Sequence, residues 1–438
     1  MGANTTGDLN TAVGSESFIT NTTGTRNTAI GQNSLNANTT ASHNTALGQS
    51  ALAAATTGGD NVAIGSAALD ASTTATANTA VGRQALGSTV TGGNNTAVGW
   101  MACSSTTSTG NTGVGFNVLA DNTSGTNNTA IGLNALADNT TADNNVGIGA
   151  SVLRLNTTGA GNVALGAYSL DANTTANYNT AIGYAALTAN TTGTGGVALG
   201  YNALAANTTA NNNTAIGYES LDANTTGAEN TAVGKGTLSN NTTAGNNTAL
   251  GYNSLGSNTT GAQNVAVGTY ALDANTTASD NTAVGYAALT AANTGTNNTA
   301  LGANAMQANT SGHSSTGLGR YALQANTTGQ HGVAVGNNAL YANTTGTHNV
   351  GVGSSALLLN TTGQYNTAVG GNALSNNTAS ENTAIGYNSG KEITSGTRNT
   401  VVGYAALDAA TTGNDNVAIG QAALSNATTA SHNTAVGR

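Results

Sequence analysis

Apolar and polar residues alternate in short runs along the whole chain. A typical unit is residues 179–195, which read NTAIGYAALTANTTGTG, and the following residues repeat the phrase with few changes. Glycine and the triplet Asn-Thr-Thr interrupt the apolar residues again and again, so that runs of about five residues remain. Such runs have the length of β-strands and are too short for helices. The pattern therefore predicts an all-β protein.

The pattern repeats with a period of seventeen residues. Twenty-six glycines close the NTAVG-like phrases from Gly14 to Gly437, and 23 of the 25 intervals between them are seventeen residues long, while two are sixteen. A short fixed period is typical of a solenoid, in which each repeat forms one coil. We predict one continuous repeat domain over residues 1–438, a parallel β-solenoid of about 25 coils. At about 4.8 Å a coil, its length is on the order of 120 Å.

We number the positions of each coil from 1, at the Asn that opens the phrase, to 17. Positions 2 and 4 carry Thr or Val and then Val, Ile or Leu, as at Val62 and Ile64. In a strand these two positions share one face, and we expect that face to point to the core. Position 9 is Leu in nearly every coil and is predicted to be the main core residue. Representative core leucines are Leu35, Leu187, Leu289 and Leu424.

Position 3 points to the opposite side of the strand from positions 2 and 4. It is Ala in 21 of the 26 repeats, Gly in four and Val only at Val401. An exposed position would vary among polar residues, so its constant small size predicts close packing of this face against another copy of the chain. Representative residues of this predicted oligomer face are Ala181, Ala215 and Ala283.

Asparagine recurs at positions 1 and 12. Stacked coils place equal positions one above another, so Asn side chains can bond to each other along the stack. We predict a ladder of turn asparagines at position 1, represented by Asn10, Asn61, Asn179, Asn281 and Asn433. The position-12 residues are also interpreted as turn residues. They satisfy the N-glycosylation sequon, however, and in an organism that glycosylates exported proteins Asn190, Asn207 and Asn224 become acceptor sites.

Composition and charge exclude several classes of function. The chain has 8 Lys and Arg against 17 Asp and Glu, so it has no basic stripe for nucleic acid. Its five His lie near the loop tips without a matching set of ligands, and Cys103 occupies the Leu position. We therefore predict no enzyme, no metal and no cofactor. No apolar run is long enough for a membrane span, and no signal peptide is visible, so we expect no membrane insertion and leave the export route open.

The phrases NVAIGSAAL (61–69), NTAIGYAAL (179–187) and NVAVGTYAL (264–272) resemble the YadA-like head repeat of trimeric autotransporter adhesins and similar repeats of phage tail fibres. The resemblance implies a left-handed parallel β-roll, three chains packed around one axis, and a location that is extracellular or on a cell or virion surface. The seventeen-residue period is longer than that of the family, and the neck, stalk and anchor of such adhesins are not visible.

The chain begins and ends partway through a coil, with Met1 at position 9 and Arg438 at position 6, and neither end shows a capping repeat. We expect such ends to stack head to tail. The leading hypothesis is a structural fibre protein that assembles laterally as a homotrimer and end to end as an extracellular filament.

Two alternatives to the fibre remain open. The first is an adhesin or tail-fibre shaft that binds a surface receptor or glycan through the irregular segments near 100–115 and 387–398. The second is ice binding, which needs rows of outward Thr, whereas Thr at position 2 is expected to point inward.

Overall fold

The computed structural model describes residues 2–291 and 293–438, so the predicted placement of Met1 at position 9 lies outside the described residues. The chain forms two compact units, Met1–Ala215 and Ile216–Arg438. Both units are built from the same repeating coil, and the described residues contain strands and turns but no helix. The predicted all-β parallel solenoid is confirmed, whereas neither the hand of the roll nor a trimer is established.

Every strand is three residues long and starts at position 2 of its coil. The strands of the first unit are β1 (Thr11–Val13), β2 (Thr28–Ile30), β3 (Thr45–Leu47), β4 (Val62–Ile64), β5 (Thr79–Val81), β6 (Thr96–Val98), β7 (Thr112–Val114), β8 (Thr129–Ile131), β9 (Val146–Ile148), β10 (Val163–Leu165), β11 (Thr180–Ile182) and β12 (Val197–Leu199). Strand β13 (Thr214–Ile216) has residues in both units. The strands of the second unit are β14 (Thr231–Val233), β15 (Thr248–Leu250), β16 (Val265–Val267), β17 (Thr282–Val284), β18 (Thr299–Leu301), β19 (Thr316–Leu318), β20 (Val333–Val335), β21 (Val350–Val352), β22 (Thr367–Val369), β23 (Thr383–Ile385), β24 (Thr400–Val402), β25 (Val417–Ile419) and β26 (Thr434–Val436).

Within each unit a strand pairs in parallel with the next strand along the chain, and equal coil positions lie opposite each other. In the pair β10–β11, for example, Ala164 lies beside Ala181. The two sixteen-residue intervals keep this register, since β6 pairs with β7 and β22 with β23 in the same way. The missing residue is therefore absorbed outside the strands, and identical positions form columns along each unit.

The structure reverses the predicted orientation of the strands. Ala181, Ala215 and Ala283, predicted to form an oligomer face, are completely buried inside their own chain. Val62 and Ile64, predicted to line the core, are only half-buried. Position 3 points into the coil and positions 2 and 4 point out of it, so both predictions are wrong.

The narrow interior of the coil explains this reversal. A Cβ atom placed on Gly147, at position 3, would lie 3.0 Å from Cδ1 of Leu136, the position-9 leucine of the preceding coil. At Gly351 the equivalent atom would lie 3.3 Å from Cγ of Leu340. Because Leu occupies the interior from one wall, the facing wall has room only for Ala or Gly. Size rather than hydrophobicity therefore decides which side of the strand is inside.

The position-9 column is the core that the sequence predicts. Leu35, Leu187 and Leu289 are at most 1% exposed, while Leu424 is half-buried in the last described coil. The residues that replace Leu at this position, Phe18, Cys103 and Met306, are completely buried.

Each coil turns sharply after its strand, at the position-5 glycine. Gly183 has φ of 138°, and a Cβ on it would collide with the carbonyl group of Gly200 in the next coil. Only glycine tolerates both the backbone conformation and this close approach. The column of glycines therefore allows the coils to stack at the spacing of paired strands.

The irregular segment at 387–398 follows the same coil path as its neighbours, because large side chains at other positions fill the space of the missing leucine. Gly390 stands where other coils have Leu, and a Cβ on it would lie 2.9 Å from Cδ1 of Ile393, which is completely buried at position 12. The next coil carries the sole Val at position 3, Val401, which is also buried. Since position 3 faces the position-9 residue of the preceding coil, Ile393 and Val401 together replace the missing leucine.

Candidate functional site

Ionisable side chains do not form a metal-binding cluster in the described part of the chain. Within residues 2–291 and 293–438, no three His, Cys, Asp or Glu side chains are grouped so that they could hold a metal ion. Burial raises the pKa of the Cys103 thiol to about 12, so this residue is not a ready thiolate nucleophile. Candidate functional surfaces are therefore sought among the columns of the coil.

The position-1 asparagines form a largely buried ladder within each unit, interrupted where Gly196, Ser315 and Gly332 occupy the position. The backbone N–H of Asn61 donates to Oδ1 of Asn44 at 3.0 Å, and its Nδ2 donates to the carbonyl oxygen of Ala75 at 2.9 Å. The same backbone bond links each of the other asparagines named for this ladder to a neighbouring coil: Asn10, Asn179, Asn281 and Asn433. These bonds satisfy polar groups that the turn would otherwise bury without partners.

A second buried ladder runs through position 12. Asn190 donates from Nδ2 to Oδ1 of Asn173 at 3.1 Å and to the carbonyl oxygen of Gly193 at 2.9 Å. Asn207 and Asn224 are also at most 2% exposed. A sugar on such an amide would displace these bonds and have no room inside the coil. The hypothesis of glycosylation at Asn190, Asn207 and Asn224 is therefore wrong for the folded coil.

The outward residues at positions 2 and 4, called here the strand face, form a surface without charge. Eighteen of the 26 strands begin with Thr and eight with Val, and all of them end with Val, Ile or Leu. Several of the large side chains are clearly exposed, as at Leu250 (46%) and Ile385 (43%). Since the strands are in register, each unit presents two columns of β-branched or aliphatic side chains. Successive side chains in a column are about 4.8 Å apart, the spacing of neighbouring strands.

Exposed aromatic rings stack between coils at positions 6 and 7, just after the strands. Tyr184 lies between Tyr168 and Tyr201, with ring centroids 5.7 and 5.5 Å apart. Trp100 contacts Phe116 edge to face, with ring centroids 5.2 Å apart. All these rings are 43% exposed or more, so a large part of each ring is open to solvent.

A short row of rings also lies near the loop tips. His331 lies between His313 and His348, with ring centroids 5.4 and 4.8 Å away, and Tyr365 continues the row by stacking on His348 at 5.1 Å. His331, His348 and Tyr365 are exposed and His313 is half-buried. No carboxylate or thiolate joins these rings in a metal cluster in the described structure.

A polar cleft interrupts the regular surface of the first unit. Its volume is about 250 Å³. It is lined by Asp70, Gln84, Gly87, Ser88, Met101 and Ser104. Burial raises the pKa of the Asp70 carboxyl group above its usual value. The sequence pattern marked the segment near 100–115, which supplies Met101 and Ser104 to the lining, but it did not predict the cleft, whose one signal is the glycine at position 10.

Comparison with known proteins adds no relative. No protein-family model matches the chain, and no match is found among the curated proteins. The resemblance to YadA-like heads consequently remains a prediction. The described residues include no helix with the length and hydropathy that a membrane span requires.

Proposed function

We propose that the protein is a structural fibre protein, a β-solenoid subunit that associates laterally with copies of itself through the strand face. The observation that carries the proposal is the absence of any charged residue from the outward positions of all 26 strands. Large exposed apolar surfaces are typical of protein–protein contacts. Two strand faces can meet without burying a charge. Because the side chains at positions 2 and 4 repeat in every coil, the contact can extend along many coils.

Assembly along the axis is supported by the contacts between coils. Most coils donate backbone and Asn amide hydrogens to their neighbours in the same pattern, as between Asn44 and Asn61 and again between Asn247 and Asn264. A coil of another chain would meet the same donors and acceptors. End-to-end stacking therefore requires no new type of contact, and it would give an open filament rather than a closed ring. We place this fibre outside the cell or on a cell or virion surface.

The first experiment combines the solution mass with electron microscopy of the purified full chain. We expect a mass of about three times 42.3 kDa if the lateral assembly is a trimer, and filaments longer than the roughly 120 Å expected for 25 coils. A monomer that forms neither trimers nor filaments at any protein concentration would refute the proposal.

Two pairs of lysine substitutions test the strand face directly. Ile182→Lys with Leu199→Lys places charges on adjacent coils at position 4, where both side chains are exposed. Thr192→Lys with Thr209→Lys places the same charges on adjacent coils at position 14, also exposed. The first pair should abolish lateral association and the second should not. Equal effects of the two pairs would exclude the strand face as the interface.

The exposed aromatic rows favour a second candidate, an adhesin or tail-fibre shaft that binds a surface glycan. Regular stacking does not require large exposed rings, because many coils have Ala, Asn or Gln at these positions. Aromatic side chains exposed in this way are typical of binding surfaces. A glycan array probed with the labelled full chain tests this candidate, and complete absence of binding would contradict it.

The orientation of Thr supports a third candidate, ice binding. The sequence argument against it assumed that Thr at position 2 points inward, and the structure turns this column outward on a face without charge. Rows of hydroxyl and methyl groups at a regular spacing can order water. Thermal hysteresis of the monomer, lost in the Ile182→Lys and Leu199→Lys variant, would favour ice binding over lateral association.

A further inference from the structure

We propose that the cleft lined by Asp70, Gln84 and Gly87 binds one pyranose ring of a neutral carbohydrate, with Trp100 as a stacking platform. The inference deepens the adhesin candidate by naming a site and a ligand class, and it rests on that candidate rather than on fibre assembly. The site combines a cavity lined by polar side chains of three neighbouring coils with an exposed aromatic pair, Trp100 of the third coil and Phe116 of the next.

The cleft exists because position 10 is glycine in this coil. Other coils carry large residues at the same position, such as Gln307, Gln324 and Tyr341. A Cβ on Gly87 would lie 3.4 Å from the carbonyl oxygen of Gln84 and 3.6 Å from Oδ1 of Asp70, which are ordinary contacts. A larger residue is therefore sterically admissible at position 87, and the glycine leaves the space above Asp70 open.

The lining offers both hydrogen-bond donors and acceptors. The Asp70 carboxylate accepts, the Gln84 amide does both, and the hydroxyl of Ser88 does both. Gln84 and Ser88 are exposed, and the structure gives their side chains no hydrogen bond to another described residue. Such a mixture matches the adjacent hydroxyl groups of a sugar, each of which both donates and accepts.

Charge and size narrow the class of ligand. Asp70 is the one charged residue in the lining of the cleft, which disfavours an anionic ligand. A single carboxylate is also too few ligands for a stable metal site. The volume of about 250 Å³ lies just below the roughly 300–1,000 Å³ of sites for drug-sized ligands, which suits one sugar ring.

The aromatic pair supplies the apolar contact that a sugar ring requires. Trp100 directly precedes Met101, which lines the cleft, and its side chain is 49% exposed. Phe116 holds the indole at an interplanar angle of 73°. The C–H groups on one face of a pyranose carry partial positive charge and pack against the negative face of an aromatic ring.

A fluorescence titration of the full chain tests the site, because Trp100 is the sole tryptophan. The probes are the methyl glycosides of glucose, galactose, mannose and N-acetylglucosamine, with saturation-transfer NMR as a second readout. We expect a saturable change for at least one of them at millimolar concentration, the affinity typical of a ligand with about a dozen non-hydrogen atoms. No response to any of the four in either readout would overturn the proposal.

Matched variants assign the response to the cleft. Gly87→Gln fills the cleft with a residue that position 10 accepts elsewhere, and it should weaken binding by about tenfold or more. Gly256→Gln makes the same change at position 10 of a coil in the second unit and should leave binding unchanged. Trp100→Ala, followed by NMR, should weaken binding to a similar degree. Equal affinities of the Gly87→Gln and Gly256→Gln proteins would overturn the site.

The glycan array separates failure of the site from failure of the adhesin candidate. Array binding that Gly87→Gln leaves intact would refute the cleft while supporting an adhesin. If neither the array nor the titration detects binding, both proposals fall. Array binding that Gly87→Gln removes, with Gly256→Gln unaffected, supports both.

Discussion

Gly147→Ala tests whether position 3 points into the coil. The change introduces the residue that 21 of the 26 repeats have at this position. Replacing a glycine inside a strand by Ala ordinarily stabilises a protein by about 0.5–1 kcal/mol. Here the new Cβ would lie 3.0 Å from Cδ1 of Leu136 and 3.2 Å from Cγ1 of Val152, so the two neighbours must move. The expected result is a destabilised protein.

The magnitude follows from the contacts around Gly147. Overpacking of a dense core costs about 1–3 kcal/mol, and the ordinary gain from replacing glycine offsets part of it. We expect a net loss of roughly 0.5–2 kcal/mol. Val152→Ala removes two buried methyl groups at position 8 and should cost about 2 kcal/mol through lost burial and a cavity.

The double variant Gly147→Ala with Val152→Ala restores the combination of small residues that most coils have at positions 3 and 8. The new methyl group occupies space vacated by Val152, so the double variant should be more stable than the sum of the single effects by about 1–2 kcal/mol. Urea unfolding gives the free energies, and hydrogen exchange of β8–β10 shows whether the effect is local. A stabilising Gly147→Ala, or additive effects, would refute the inward orientation of position 3.

Three further predictions follow from buried polar and titratable groups. Asn190→Ala should destabilise the protein by about 2–4 kcal/mol in urea unfolding, because it removes three side-chain hydrogen bonds and leaves buried partners unsatisfied; a loss below about 0.5 kcal/mol would contradict the ladder. Burial raises the pKa of Asp222, whose Oδ1 atom is buried without a hydrogen bond. The pKa of the Asp222 carboxyl group is therefore higher in the folded protein than in the unfolded chain. The protonated carboxyl group contributes its full stabilisation below the unfolded pKa near 3.8, and this contribution is lost as pH rises through the folded pKa. Asp222→Asn should accordingly stabilise the protein at pH 7 and have little effect at pH 3, and a pH-independent difference would be evidence against this explanation. The Cys103 thiol should react with a thiol reagent at pH 8 only after unfolding, and rapid labelling of the native protein would show that this residue is not buried as described.

Some features of the functional surfaces could not be predicted from the sequence. The cleft at Gly87 depends on three neighbouring coils, and a glycine at one position does not by itself reveal a cavity. The buried state of Asn190 was also hidden, because the same triplet Asn-Thr-Thr is typical of exposed turns. In contrast, the position-9 leucines were recognised as core residues, because a large apolar residue in nearly every coil has few other roles.

The sequence by itself determined the length of the coil, the parallel register of the strands and the leucine column, because a fixed period places equal residues in equal environments. The two-residue period of a strand shows which residues share a face, but it does not show which face is inside. Only the tertiary structure decided that Ala181 points inward and Ile182 outward. The physical reason is the width of the coil, since one leucine per coil leaves room only for a small residue on the opposite wall.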